Sequence, residues 1–192
     1  MPTWAWIVIV IAAVVIVGAV IWSATRARRR KGLQERFGNE YDRTVADAPS
    51  RRQAEADLAD REKRRDGLDI RPLEQSSRDR YASEWQKTQA QFVDDPGGAV
   101  GEADRLIQRV MLERGYPVHD FEQRANDLSV DHPEVISNYR AAHGISVANE
   151  RGKASTEDMR TAMVHYRALF SELLETGSAE TTRSEPAETA RS

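Results

Sequence analysis

The chain has 192 residues, 28 of them basic and 31 acidic, for a net charge of −3, and it contains no cysteine. The missing thiols exclude disulfides, thiolate catalysis and cysteine metal sites. Five basic residues and no acidic one precede Gly32, which leaves 23 basic against 31 acidic and a net −8 for residues 32–192; so acidic a body excludes general nucleic-acid binding, which needs a basic surface.

Trp4 to Trp22, WAWIVIVIAAVVIVGAVIW, is a run of nineteen residues without a charge. At about 1.5 Å per helical residue it covers roughly 28 Å, close to the ~30 Å hydrocarbon core of a bilayer. Eleven of the nineteen are Ile or Val, together worth about −3 to −7 kcal/mol of insertion free energy. Trp4, Trp6 and Trp22 stand at its two ends, where amphipathic rings prefer the headgroup level, and they read as membrane-interface anchors. No Lys or Arg precedes the run, whereas Arg26, Arg28, Arg29, Arg30 and Lys31 follow it. The positive-inside rule then puts the N-terminus outside and the body in the cytoplasm. A signal peptide would carry its positive charges on the other flank, so the run reads as an uncleaved single-pass anchor. The five basic residues form a collar suited to anionic lipid headgroups, at about 1 kcal/mol each near the surface; they serve equally as a topology signal without lipid preference. The run has no GxxxG pattern, so helix-driven pairing in the bilayer is not indicated, and self-association is left open.

From Gly32 the apolar residues Leu33, Phe37, Tyr41 and Val45 recur every fourth position and predict one short amphipathic helix, weakened at Gly38 and ended by Ala48-Pro49. Residues 51–68 offer only Ala54, Leu58 and Leu68 to a core. Asp57 with Arg61 and Asp60 with Arg64 are spaced for pairing along a solvated, stalk-like helix. Asp69-Ile70-Arg71-Pro72-Leu73 breaks the pattern and pins the linker through its apolar residues.

The body follows. Ser76 and Asp79 are spaced as a capping box, and Tyr81, Trp85 and Phe92 share the helix face behind them. Asp95-Pro96 opens the next helix, with Val100, Ala103, Ile107, Val110 and Met111 inward, and Gly115 closes it. A short helix is expected over 120–127, carrying Phe121 and Ala125, with Leu128 and Val130 as plugs. Asp131-His132-Pro133-Glu134 predicts the cap of another helix, with Val135, Ile136, Tyr139, Ala142 and Ser146 inward. Ser155 to Asp158 caps the clearest stripe: Met159, Ala162, Met163, Tyr166, Leu169, Phe170 and Leu173. After Leu174 no large apolar residue remains, which predicts a disordered tail. The resulting organisation is all-α: a transmembrane anchor over 1–25, a basic collar with juxtamembrane helices over 26–68, a helical bundle over 69–175 and a disordered tail over 176–192.

This order of pieces resembles an uncharacterised family of small bacterial proteins with one N-terminal membrane span and a helical soluble body. The resemblance covers nearly the whole chain and is carried by LQERFGNEYDRTV (33–45), DIRPL (69–73), FVDDPGGAVGEAD (92–104), RGYPVHDFEQRANDLSVDHP (114–133), YRAAH (139–143) and STEDMRTAMVHYRALFSELL (155–174). It implies no activity, cofactor or catalytic residue.

The residues themselves point to no chemistry either. His119, His132, His143 and His165 form no HxxH, HExxH or His-x3-His pair that would put two imidazoles on one helix face. Asp131, His132 and Glu134 could gather a metal, but they sit where a helix start needs caps. Pro96-Gly97-Gly98 lacks the GK[ST] ending of a phosphate loop. Acidic pairs Asp94-Asp95 and Glu157-Asp158 also fall at caps, where the helix dipole favours them. No catalytic residue, metal or cofactor is assigned. The expected function is a non-enzymatic, membrane-anchored interaction or adaptor module with a protein partner and a bilayer as its contacts and no nucleic acid. The alternative is a small-molecule or lipid-responsive module whose bundle encloses a pocket lined by Tyr81, Trp85, Phe92 and Tyr166, distinguishable by an apolar cavity of a few hundred cubic ångströms.

Overall fold

The computed structural model describes the backbone of residues 3–183 and the side chains of residues 16–175 apart from Ala19. Its helices are α1 (Thr3–Phe37), α2 (Asn39–Asp47), α3 (Arg51–Asp66), α4 (Gln75–Gln91), α5 (Pro96–Arg114), α6 (Phe121–Asp131), α7 (Ile136–Glu150) and α8 (Thr156–Arg183). Among the described residues there is no strand, and the fold is all-α, as the periodicity predicts. The chain divides into two units, Met1–Ala59 and Asp60–Ser192.

In the first unit, α1 does not give way to a new helix at Gly32. It runs unbroken through the collar to Phe37 and stops at Gly38, whose φ of 48° and ψ of −124° lie outside what side-chain-bearing residues readily adopt. A lone Gly32 costs only about 1 kcal/mol within a helix, too little to end a segment otherwise built from Arg, Lys, Leu, Gln and Glu. The 33-37-41-45 stripe is thus split across two helices that meet at Gly38. Leu33, Phe37 and Tyr41 are buried and Val45 is half-buried. Ala48, held extended at φ −86° and ψ 149° by the proline after it, ends α2. Among the described residues no helix is long and apolar enough to cross a membrane. The side chains of residues 4–15, most of the expected span, lie outside the described residues.

The second unit is built around α5. Ala99, Val100, Ala103, Leu106, Ile107, Val110 and Met111 are all fully buried, a stripe wide enough for several neighbours. α4 covers one side, α8 lies along both α5 and α7, and α6 packs on α7. Asp95 caps α5 by accepting from the Gly98 amide at 2.9 Å, with Pro96 in the first turn. At the other end Gly115, φ 96°, makes a Schellman closure in which the Tyr116 amide donates to the Met111 carbonyl at 2.9 Å. The linker is fastened to this corner: the Arg71 amide donates to the Arg114 carbonyl at 2.9 Å, and Leu73 is buried.

Three local expectations are corrected. Ser76 and Asp79 make no capping box, because α4 already starts at Gln75 and the Asp79 carboxylate accepts from the Gln75 amide group at 2.8 Å. Asp131 does not cap α7: α6 runs on to include it, and α7 begins at Ile136 without a side-chain cap. The expected tail is still helical up to Arg183, since each residue added to a formed helix gains a hydrogen bond while the cost of nucleation is already met. Residues 184–192 of that tail lie outside the described residues. The Ser155 box does form: the Asp158 amide donates to the Ser155 hydroxyl at 3.1 Å and the Ser155 amide returns a bond to the Asp158 carboxylate at 2.8 Å.

Candidate functional site

The collar sits on α1 directly after the apolar run. At about 100° per residue, Arg26, Arg28, Arg29, Arg30 and Lys31 fall at about 0, 200, 300, 40 and 140° around the axis, a ring with no neutral side. Arg26, Arg28, Arg29 and Lys31 are exposed. Lys31 approaches Glu35 at 3.6 Å, an exposed pair one turn apart. Arg30 differs: it is half-buried and lies against the Tyr41 hydroxyl, which donates to Glu55 at 3.1 Å. Burial, then Glu55, pushes the Tyr41 hydroxyl above its ordinary pKa, and Arg30 opposes them. Four of the five cations are therefore offered outward and one is tied into the α1–α2–α3 corner.

Before the collar, Ile16, Val17, Val20, Ile21 and Trp22 are each more than half exposed, and at helical spacing they occupy more than one face. The Arg26 guanidinium lies 5.6 Å from the Trp22 ring centroid. Ser23 and Thr25 turn their hydroxyls onto the Val20 and Trp22 carbonyls, both at 2.9 Å, so the first polar side chains after the run satisfy themselves on the helix. Trp4 and Trp6 lie on α1, with side chains outside the described residues.

The aromatic residues of the body are drawn into separate contacts. Trp85 stacks on Phe170 with centroids 4.7 Å apart. Tyr166 donates to Asp104 at 3.1 Å, and Tyr81 donates to Glu113 at 2.6 Å. Phe92 borders a groove of about 200 Å³ shared with Gln89, Arg160, Met163, Val164 and Arg167. Sequence reasoning missed this groove. Its signal was Val164, an apolar residue off the α8 stripe and 63% exposed.

A polar cluster joins α3 to α6. The Arg65 guanidinium Nε lies 2.7 and 2.8 Å from the two Asp131 oxygens, and the Tyr116 hydroxyl donates to Asp131 at 2.7 Å. Arg64 donates to Gln123 at 2.6 Å and lies 3.8 Å from Asp127, whose carboxyl is fully buried and raised in pKa by that burial. The expected solvated stalk is thus anchored at its C-terminal end. His132 is buried with Nδ1 3.2 Å from Glu172; burial holds its pKa below the ordinary histidine value, and Glu172 opposes this.

The other candidates are occupied by structure. Asn149 donates to the Gly97 carbonyl at 3.2 Å, and Asp95 takes the Gly98 amide, so the Pro96-Gly97-Gly98 turn is closed from both sides. Asp131 faces Arg65 while His132 faces Glu172, so these two do not converge with Glu134. Among the described residues no group of three or more His, Asp or Glu side chains could hold a metal ion. No family model, curated protein or solved structure matches this chain.

Proposed function

We propose that this chain is a single-pass membrane protein whose helical body works as a non-enzymatic interaction or adaptor module on the cytoplasmic side. What supports the reading is the order of residues along α1: the charge-free run of residues 4–22, then the outward cations of the collar, then a buried corner at Leu33 and Phe37. A helix lying flat on a membrane needs one apolar and one polar face, whereas a helix passing through needs this axial order. The four outward cations suit anionic headgroups, and the net −8 of residues 32–192 argues against nucleic acid as a partner. An adaptor rather than a ligand-responsive module is favoured because Tyr81, Trp85 and Tyr166 are already engaged with Glu113, Phe170 and Asp104.

The test is membrane extraction. Full-length protein should stay with the membrane pellet through high salt and alkaline carbonate, and removal of residues 1–25 should release it. Full-length protein washed off by salt alone would leave only an electrostatic surface association and overturn the anchor.

A further inference from the structure

We infer that the groove between α4 and α8 is a docking site for an acidic amphipathic helix of a partner protein; the inference rests on the interaction-module reading and names where and with what chemistry the partner binds. The Trp85–Phe170 stack marks where the two helices meet. Past it, Gln89 near the end of α4 and the C-cap residue Phe92 line a groove with Arg160, Met163, Val164 and Arg167 of α8, so the two helices run in opposite directions here. The gap is apolar at its base, where Met163 is buried and Phe92 half-buried, and Val164 stands 63% exposed beside them.

Size and charge select the occupant. A groove of about 200 Å³ is smaller than the roughly 300–1,000 Å³ of small-molecule sites. An apolar space of about 150 Å³ takes a benzene-sized group, so this one seats one or two aliphatic side chains. No acidic residue lines it, and two arginines do. Arg160 holds Glu157 at 2.6 Å, and Arg167 has no partner among the described residues. Seven positions separate the arginines, two helical turns or about 10.5 Å. A helix laid along α8 matches this with acidic residues at i and i+7 and aliphatic residues at i+3 and i+4, the usual anchor spacing of helix-in-groove recognition. The planar guanidinium favours carboxylates, and its aliphatic stem extends the apolar wall. The chain's own residues 184–192, SEPAETARS, contain no large apolar side chain to fill the groove.

The probe is a stapled helical peptide of about 15 residues, stapled because so short a helix is marginal in water, with Glu at two positions seven apart and Leu between them. A second peptide carries Lys in place of both Glu. Against full-length protein in zwitterionic nanodiscs, the Glu peptide should bind saturably and the Lys peptide at least about tenfold more weakly. Arg167→Glu should abolish that preference, and Val164→Asp should weaken both peptides about tenfold while leaving the helical circular dichroism unchanged. Equal affinity for the two peptides, indifference to both substitutions, or displacement of the peptide by anionic vesicles or by a second copy of the chain would overturn the assignment. A photo-crosslinker in native membranes separates this from the broader reading. Protein adducts at Leu112, which is 61% exposed on α5, without adducts at Val164 overturn the groove and keep the adaptor; adducts at neither overturn both.

Discussion

Trp85 is 6% exposed and stacked on Phe170, so truncating it removes a large ring from a position its neighbours cannot refill. Trp85→Ala should cost roughly 3–5 kcal/mol, read as a lowered denaturant midpoint at unchanged slope. An unmoved midpoint would put the ring at the surface. His132 supplies the pH dependence. Its folded pKa is depressed by burial, with Glu172 opposing, and that of His143 is depressed in the same way. A depressed histidine binds its proton more readily unfolded, so its contribution is complete above the unfolded value of 6.5 and is lost as pH falls below it. Asp127, whose carboxyl is raised by burial, works in the opposite sense, its contribution being lost as pH rises through its folded value. Thermal midpoints should therefore drop between neutral pH and about pH 5, and His132→Asn should flatten that slope. A slope identical to the parent protein would remove His132 from the balance.

The helices differ in how plainly residues announce them. α5 and α8 were legible because their caps and stripes agree: Asp95-Pro96 and Ser155 to Asp158 at the starts, with five of the seven buried apolar positions on α5, Ala99 and Leu106 apart, and six on the α8 stripe behind them. The α6–α7 boundary was not. Asp131 has the residue type of a cap, but its oxygens are held by Arg65 and Tyr116, partners 66 and 15 residues away that no local pattern contains. The same distance hides the docking of the C-terminal end of α3, and the groove escaped notice because its lining comes from two helices far apart in the sequence. Because Arg65 and Asp131 are both mostly buried, a fragment beginning at Asp60 should outlast one beginning at Asp69 by about 1–3 kcal/mol, the scale of a charged hydrogen bond. Equal stability of the two fragments would make the α3 contact incidental. Gly115 offers a sharper cut: an alanine there meets both the left-handed φ of 96° and the Asp69 carbonyl, so Gly115→Ala should cost more than the ~1–2 kcal/mol of the backbone alone. Free tolerance of alanine would mean that this corner is not closed as described.

For the molecule as a whole, the opposition between a cationic ring and an acidic remainder sets two expectations. A C-terminal reporter that is active only outside the cytoplasm should be silent, since a ring of five cations resists translocation. Activity of that reporter would invert the topology. A peptide of residues 26–50 should bind anionic vesicles and be released by salt, since screening shortens the reach of exposed charges. Binding that persists in high salt would assign the affinity to its apolar stripe instead.

The unbroken run of α1 through the collar to Phe37 has a mechanical corollary. A continuous helix is stiff in torsion, so whatever fixes the azimuth of its apolar run also fixes the azimuth at Phe37, just before the turn at Gly38. One residue inserted between Lys31 and Leu33 would turn the rest of α1 by about 100° while moving it only about 1.5 Å along the axis. Seven inserted residues would lift it by about 10.5 Å yet restore the original bearing to within about 20°. The bearing of Leu33 and Phe37 relative to a label at Trp22 should then rise and fall with insert length at the helical period, so within the first unit the helix sets a direction as well as a spacing.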